Sequence, residues 1–591
     1  MFPGGGYFHG LNRSDRANFS RADMMRFVQN ISNATARPGY ICRRGAGFGR
    51  AALVLSACAA LTSASPILHA NAILNEIGFS ALPTGLNGAG VNVGQIEASL
   101  TPLTSSSGGY TGTDTFEVQP GAVNQPQSLF TYIDANGNSS STYSKTFSVS
   151  GSTSTITDAI SSHANAVGDI FYGNSSGVAA GVAHVDNYDA SWFENHVVAS
   201  GTVTSDKVVN QSFVNVFPSN DTTSQELSTE QQIDFEYDNY TSTYGTIFVS
   251  AVGNGAGTFD GGQYTTLAIN PPSTAYDSIA VAALNGSTVV GGPGPTLDGR
   301  CKPDLVAPGG ETSYATPLVS GAAAILVQAG TGTNLSGGVP VGYTSTDGLS
   351  ESQYTSDATD VRTVKALLLN GAVKPSSGWY HTPTSPLNPR YGSGIVNIGN
   401  SYNQLAAGIH PYSAATSTAV GTTPSFDSSA PLQTSMIGWN LTSITSSVNT
   451  NGVEHYMFNL PKSTSGSNIY DLTATLTWNA KVNMATGSES INNLYLYIIN
   501  SANEQIAVSD SSLDNVQQLF VSDLIPGQYD LVVMKVGGVN EVSTTSTYSM
   551  AYQFNDPQLS TPEPATLGLL ALGATPLFLL RRRKTAGAVA S

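Results

Sequence analysis

From about Ile73 to Gly408, short apolar runs alternate with longer polar or amphipathic stretches. "GVNVGQI" (Gly90 to Ile96), "KVVNQSFV" (Lys207 to Val214), "GTIFVSAV" (Gly245 to Val252) and "SIAVAAL" (Ser278 to Leu284) are bounded by Gly, Asn or Ser. Continuous apolar runs of this length fit strands buried on both faces, as in a parallel sheet. "ELSTEQQIDFEYDNYTSTYG", Glu226 to Gly245, has the length and polarity of a helix between two such strands. Repeated strand–helix–strand units predict an α/β domain, a mostly parallel sheet with helices on both faces. After about Ile409 the texture changes to short alternating runs, "DLTATLTWNA", "NNLYLYIIN", "QLFVSDL", "GQYDLVVMKV" and "TYSMAYQF", separated by turn residues such as Pro526-Gly527. That pattern predicts an all-β sandwich or jelly roll.

The two ends read differently from this body. No acidic residue lies between Met24 and Asn75, and Arg43, Arg44 and Arg50 precede "AALVLSACAALTSASPILHANA". A basic flank, an apolar run and the small-x-small site Ala70-Asn71-Ala72 form a signal-peptide layout. "LSAC", Leu55 to Cys58, also has the form of a lipoprotein cleavage box; the apolar run continues past it, which favours cleavage near Ala72. At the other end, Pro562-Glu563-Pro564 is followed by an apolar stretch, Ala565 to Leu580, and then by Arg581, Arg582, Arg583 and Lys584. The basic end should stay cytoplasmic. This tripartite tail resembles the PEP-CTERM sorting signal of Gram-negative bacteria. The resemblance implies cutting by an exosortase near the PEP motif and release to the cell envelope or extracellular matrix after transient anchoring through Ala565–Leu580. Four segments follow: 1–72 leader, 73–408 α/β domain, 409–556 β-sandwich, 557–591 sorting tail.

Composition narrows the class. Charged residues make up 11% of the 591, and the formal net charge is -17. The body carries no Lys/Arg-rich run, so no nucleic-acid partner is expected. Cys42 and Cys58 fall in the leader, leaving Cys301 as the one thiol of the mature chain and no internal disulfide.

The chemistry is concentrated in "GGETSYATPLVSGAAAILVQ", Gly309 to Gln328. Ala315, Gly321, Ala322, Ala323 and Ala324 give a slim helix able to lie inside a core. Pro317 is acceptable in its first turn, which places Ser313 at or just before the N-terminus. There a hydroxyl stands beside free backbone N–H groups that can also stabilise an oxyanion. An isolated serine at such a place is more often a helix cap.

Ser313 is not isolated. "GETSYATPLVSGAAAIL", with "DGRCKPDLVAPG" upstream, resembles the nucleophile region of the subtilisin-like serine proteases, whose signature is Gly-Thr-Ser-x-Ala-x-Pro. Further motifs follow in the family's order, acid, His, Ser. "GVNVGQIEASL" is similar to the strand ending in the catalytic acid, here Glu97, and "SSHANAVGDIFYG" to the helix opening on the catalytic His, here His163. "VVNQSFV" matches the strand whose backbone pairs with substrate, here Ser212, Phe213 and Val214. "SAVGNGAG" matches the turn with the side-chain oxyanion donor, here Asn254, and "YGSGIVNIGNSYNQLAAG" resembles the closing segment. The resemblance spans about residues 73 to 408. It implies a serine endopeptidase acting on proteins or peptides. By that resemblance Ser313 would attack, His163 would relay the proton, Glu97 would orient the imidazole, and Asn254 and the Ser313 N–H would hold the oxyanion.

Four features depart from that family. Glu97 replaces Asp; the two have similar free pKa values, about 4.3 and 3.9, so the difference is reach rather than charge. Glu311 replaces the Gly before Thr-Ser, in a turn where glycine's backbone freedom is expected to matter. Ala164 follows His163 where the family has Gly, and "APGG" runs almost directly into the nucleophile motif, without the usual loop. A Ser/Glu pair is also found in the acid-active sedolisins, but His163 and Asn254 argue against that group. Two readings stay open: a working exported peptidase, or a protease-shaped surface or matrix protein used for binding.

The remaining signals are small. Thr101 to Ser161 reads as a Ser/Thr-rich surface insertion with a hairpin at "DANGNS". Cys301 has no partner for catalysis, and His184 and His196 lack zinc-ligand spacing. No cofactor or metal is expected; calcium is common in the resembled family, but no loop here is assigned to it. "NNLYL" resembles a motif of jelly-roll modules that follow some such protease domains, with Tyr495 and Tyr497 packing rather than binding sugar.

Overall fold

The computed structural model describes residues 72–98, 105–106, 109–110, 116–144, 146–148, 155–157, 161–215, 217, 221–255, 259–260, 263–264, 269–346, 348–462 and 468–555. The leader through Asn71, including Cys42 and Cys58, and the tail with its PEP motif and Ala565–Leu580 lie outside them. Among the described residues no helix is long and apolar enough to cross a membrane.

The first half is built on a mixed, mostly parallel sheet. Its strands are β1 (Asn92–Glu97), β2 (Phe130–Ile133), β3 (Ser139–Ser140), β4 (His184–Asp189), β5 (Val208–Gln211), β6 (Ile247–Ala251), β7 (Ile279–Asn285), β8 (Thr288–Val290) and β9 (Leu305–Pro308). Their order is β8-β7-β6-β5-β1-β4-β2-β3, with β9 also pairing β7. The ladders from β2 through β7, and β7 with β9, are parallel; β8 and β3 are antiparallel edges. The apolar runs land where the sequence put strands, because parallel strands are covered on both faces. β5 is the exception: it ends at Gln211, and residues 212–215 continue outside the ladder.

Among the described helices are α1 (Ser162–Tyr172), α2 (Thr223–Tyr244), α3 (Thr312–Thr331), α4 (Val361–Gly371) and α5 (Ile398–Ala407). Between β9 and α3 the chain turns within Gly309, Gly310 and Glu311. Gly310 sits at φ 76°, a left-handed conformation that side chains resist. The expected slim helix is observed, with α3 buried along almost its whole length. At Gly321 an added Cβ would stand 2.5 Å from the Val178 side chain, so only glycine lets the helix lie this close.

Two expectations need correction here. The Thr101–Ser161 segment is not only a surface insertion: β2 is a strand of the central sheet, and Phe116, Val118, Val123, Phe130 and Tyr132 are buried in the main core. Its hairpin at Asp134–Asn138 is present, closed by the Asp134 carboxylate accepting from the N–H groups of Asn136 and Asn138 at 2.9 and 2.8 Å. Pro317 is the sixth residue of α3, past the first turn. The reason it is tolerated belongs to the site and is given below.

The second half holds two antiparallel sheets. The strands are β10 (Ala414–Ala419), β11 (Ile437–Thr445), β12 (Thr450–Leu460), β13 (Tyr470–Trp478), β14 (Leu494–Asn500), β15 (Gln505–Ser509), β16 (Val516–Leu524), β17 (Gly527–Lys535) and β18 (Thr545–Asn555). They form the sheets β10-β12-β17-β14-β15 and β11-β18-β13-β16. Alternation along β14 sends Leu494, Leu496 and Ile498 into the core between the sheets, while Tyr497 packs with Val453, Val532 and Met534 on the other face. The second sheet lies on α4 and α5, and Trp439, Val516 and Ala551 belong to the core of the α/β half. Polar contacts seal this junction: Trp439 Nε1 donates to Leu405 O at 3.2 Å, Thr475 Oγ1 to Asn370 Oδ1 at 3.0 Å, and Asn515 Nδ2 to Asp277 Oδ1 at 3.1 Å.

Buried carboxyls set the pH response of the fold. Glu454, on β12, accepts from the Tyr548 hydroxyl, and burial pushes its pKa up to about 7. Burial pushes Glu117 and Glu194 up to about 7 as well. An unfolded glutamate titrates near about 4.3, so the folded chain holds more protons between there and 7. The stability these three groups contribute is therefore fully present below that window and is lost as pH rises through it. Denaturant titrations between pH 4 and 8 should show this fall, and Glu454→Gln should remove about 3 kcal/mol of it.

Candidate active site

The carboxyl ends of β1 and β6 and the first turns of α1 and α3 meet at one edge of the sheet, where open α/β sheets carry their sites. β1 ends on Glu97, whose side chain is 2% exposed. Gln95 and Glu97 share a face because strand side chains alternate. Ile96, on the opposite face, packs with Tyr188, Phe193 and Phe248. α1 begins when the Ser161 hydroxyl accepts the Ala164 N–H at 3.0 Å, which fixes His163 in the first turn.

Glu97 Oε2 lies 2.8 Å from His163 Nδ1. The other carboxylate oxygen is held as well: Gln95 Nε2 donates to Glu97 Oε1 at 2.8 Å and to Ala164 O at 2.9 Å. Gln95 Oε1 in turn accepts from the Tyr172 hydroxyl, and burial holds that phenol's pKa well above its ordinary value. The chain Tyr172–Gln95–Glu97–His163 thus fixes the longer acid's extra methylene in one place. Sequence reasoning missed Gln95 and Tyr172; the only signal was the two-residue spacing from Gln95 to Glu97.

Ser313 stands in the first turn of α3, and Tyr314 brings that turn to the imidazole, its ring centroid 6.0 Å from that of His163. Pro317 has no N–H for the carbonyl four residues earlier, which is that of Ser313. Ser212 Oγ supplies the missing donor, at 2.9 Å from Ser313 O. The exchange is mutual, since Ser313 Oγ donates to Ser212 O at 3.2 Å. Ser212 is therefore a buried clamp on the turn that carries Ser313. Phe213 is buried with the Ile96 cluster, and Val214 is half-buried. Ser212→Ala should leave the Ser313 carbonyl unpaired and cost about 1–3 kcal/mol of unfolding free energy, measured by chemical denaturation.

Asn254 follows β6 and is exposed. Its Oδ1 accepts from Thr312 N–H at 2.7 Å and from Thr312 Oγ1 at 2.8 Å. A backbone donor needs an acceptor, so this contact fixes which way the amide faces. Nδ2 points the other way and donates to Glu311 Oε2 at 3.4 Å. Glu311 itself has φ -138° and ψ 151°, ordinary extended backbone, so the glycine expected at this position is not needed for conformation. The remaining side chains add no ligand set: among the described residues, no group of three His, Cys, Asp or Glu is arranged to hold a metal ion. Cys301 is a free, half-buried thiol whose pKa burial pushes up to about 12, an unreactive state.

A buried acid is bonded to an imidazole here, and the helix start that carries Ser313 is brought to that ring by Tyr314. Residues 133–394 match the subtilase family. The matched stretch includes His163, Asn254 and Ser313 and leaves Glu97 outside. No curated protein matches the chain. Among solved structures, the epidermin leader peptide processing serine protease of Staphylococcus aureus is similar at 16% identity and a TM-score of 0.35, over 56% of this chain and 80% of that one. A lanthipeptide protease is similar at 14% identity and a TM-score of 0.31, over 53% and 87%. Tripeptidyl peptidase 2 is similar at 13% identity and a TM-score of 0.26, over 68% of this chain and 40% of that one.

Proposed function

We propose that the chain is an exported serine endopeptidase that hydrolyses peptide bonds through Glu97, His163 and Ser313. The observation that carries this reading is the bond from Glu97 Oε2 to His163 Nδ1, with Gln95 holding the second oxygen. A glutamate held on both oxygens presents a fixed acceptor to Nδ1, which keeps the proton there and leaves Nε2 free to take one. Ser313 then turns its hydroxyl from the Ser212 carbonyl to Nε2, gives up its proton there and adds to the peptide carbonyl. The tetrahedral oxyanion takes the Ser313 backbone N–H and Asn254 Nδ2. The imidazolium returns its proton to the leaving amine, and water repeats the sequence to release the acyl group. Residues Ser212 to Val214 would lie along the substrate backbone.

Export rests on the leader and on the order PEP motif, apolar stretch, basic cluster, which supports processing by an exosortase and release to the envelope or matrix. The experiment for the catalytic reading is exposure of the purified chain to a defined peptide library at neutral pH. New amino termini are counted by mass spectrometry with and without a serine-reactive fluorophosphonate. Cleavage that disappears with the reagent is the expected result. A folded chain that cuts nothing would turn the reading toward a binding protein.

A further inference from the structure

Glu311 is the one acidic side chain at the nucleophile turn that the proposed reaction does not use. It is exposed, two residues before Ser313, and Asn254 Nδ2 donates to its carboxylate at 3.4 Å. That donor is the one the oxyanion needs. The carboxylate and the oxyanion carry the same charge and compete for the same N–H. The contact is long for a hydrogen bond, so the carboxylate is weakly held there. Among the described residues no basic side chain pairs with Glu311, so its charge is left for something outside the fold. Its field is felt at the site: the Tyr314 phenol is pushed up by burial first, then by Glu311 and Glu97.

We propose that Glu311 determines specificity, selecting peptides that carry a lysine or arginine beside the scissile bond. The inference rests on the peptidase reading above. A cation on the substrate pairs with the Glu311 carboxylate, draws it off Asn254 Nδ2 and neutralises the charge that would oppose the oxyanion. A neutral substrate leaves the carboxylate on the amide, and the tetrahedral intermediate forms with one donor occupied. Loss of one oxyanion donor costs about 10²–10³ in turnover, which bounds the effect from above. A charge-assisted contact alone is worth about tenfold or more, which bounds it from below.

The test uses the full chain and matched peptides bearing arginine or its neutral isostere citrulline next to the cleaved bond. Wild type should show kcat/KM at least about tenfold higher for arginine, with the ratio falling as salt is raised. Glu311→Gln should bring the ratio near one and raise turnover of the citrulline peptide. Glu311→Gly serves as the second variant, and its ordinary extended backbone makes it a safe one. An unchanged ratio in both variants overturns the specificity role while leaving the peptidase reading intact. If wild type and both variants are folded yet neither cleave peptides nor take a fluorophosphonate label, the peptidase reading fails and this inference fails with it.

Discussion

Ser313→Ala is expected to lower peptide hydrolysis by about 10⁶-fold and to abolish fluorophosphonate labelling, with the fold intact. Alanine is a strong helix former, so the start of α3 survives the change. The substitution removes the Oγ donor to the Ser212 carbonyl but leaves the Ser313 carbonyl with its own donor, Ser212 Oγ. The clamp that compensates for Pro317 therefore persists, and the thermal midpoint should shift by no more than a few degrees. Activity and stability separate cleanly at this position. Turnover with the peptide that wild type cuts best, together with a thermal scan, checks both halves. Residual hydrolysis near the wild-type rate would exclude Ser313 as the nucleophile.

Glu97→Gln carries the next largest effect, a fall of about 10⁴ in kcat with KM little changed. The amide is the same size as the acid, so packing against β4 and α1 is preserved. What changes is the partner of His163 Nδ1. An amide nitrogen turned toward the ring donates to Nδ1 and forces the proton to Nε2, the nitrogen that in the proposed reaction accepts from Ser313. An amide oxygen turned toward the ring keeps the tautomer but no longer offsets the imidazolium charge. Gln95 worsens the case, because its Nε2 donates to Glu97 Oε1 and would oppose an amide nitrogen placed there. Full kinetics on wild type and variant measure the split between kcat and KM. A loss confined to KM would assign Glu97 to substrate binding instead.

Much of this architecture was legible because it depends on local pattern. β6 and β7 are largely apolar runs between breakers, and a strand covered on both faces needs nothing else to be recognised. β2 was hidden because "FTYI" alternates within a Ser/Thr-rich stretch and looks half-exposed; only its pairing with β4 brings it into the sheet. The shared core at Trp439, Val516 and Ala551 was likewise out of reach. Alternation marks one apolar face of an antiparallel sheet, but not that helices α4 and α5 will cover the other. Within the site, Ser313, His163 and Asn254 stood out through their motifs. Gln95 did not, since a glutamine in an apolar strand announces nothing until its partner's position is known. Pro317 misled for a related reason: its cost depends on whether a donor replaces the missing N–H, and Ser212 lies 101 residues away in the chain. Glu311 misled in the opposite direction, since the backbone there is ordinary and its consequence lies in its charge.

The central claim is that the glutamate site is built to work with a glutamate. Aspartate at position 97 would end about 1.5 Å short, withdrawing from His163 Nδ1 and leaving Gln95 without its acceptor. The direct measurement is the second-order rate of fluorophosphonate labelling at neutral pH, with the adduct mapped by mass spectrometry, in wild type and Glu97→Asp. The account predicts a wild-type adduct on Ser313 and labelling about 10²-fold slower in Glu97→Asp. A folded wild type that takes no label, beside a Glu97→Asp variant that does, would contradict it.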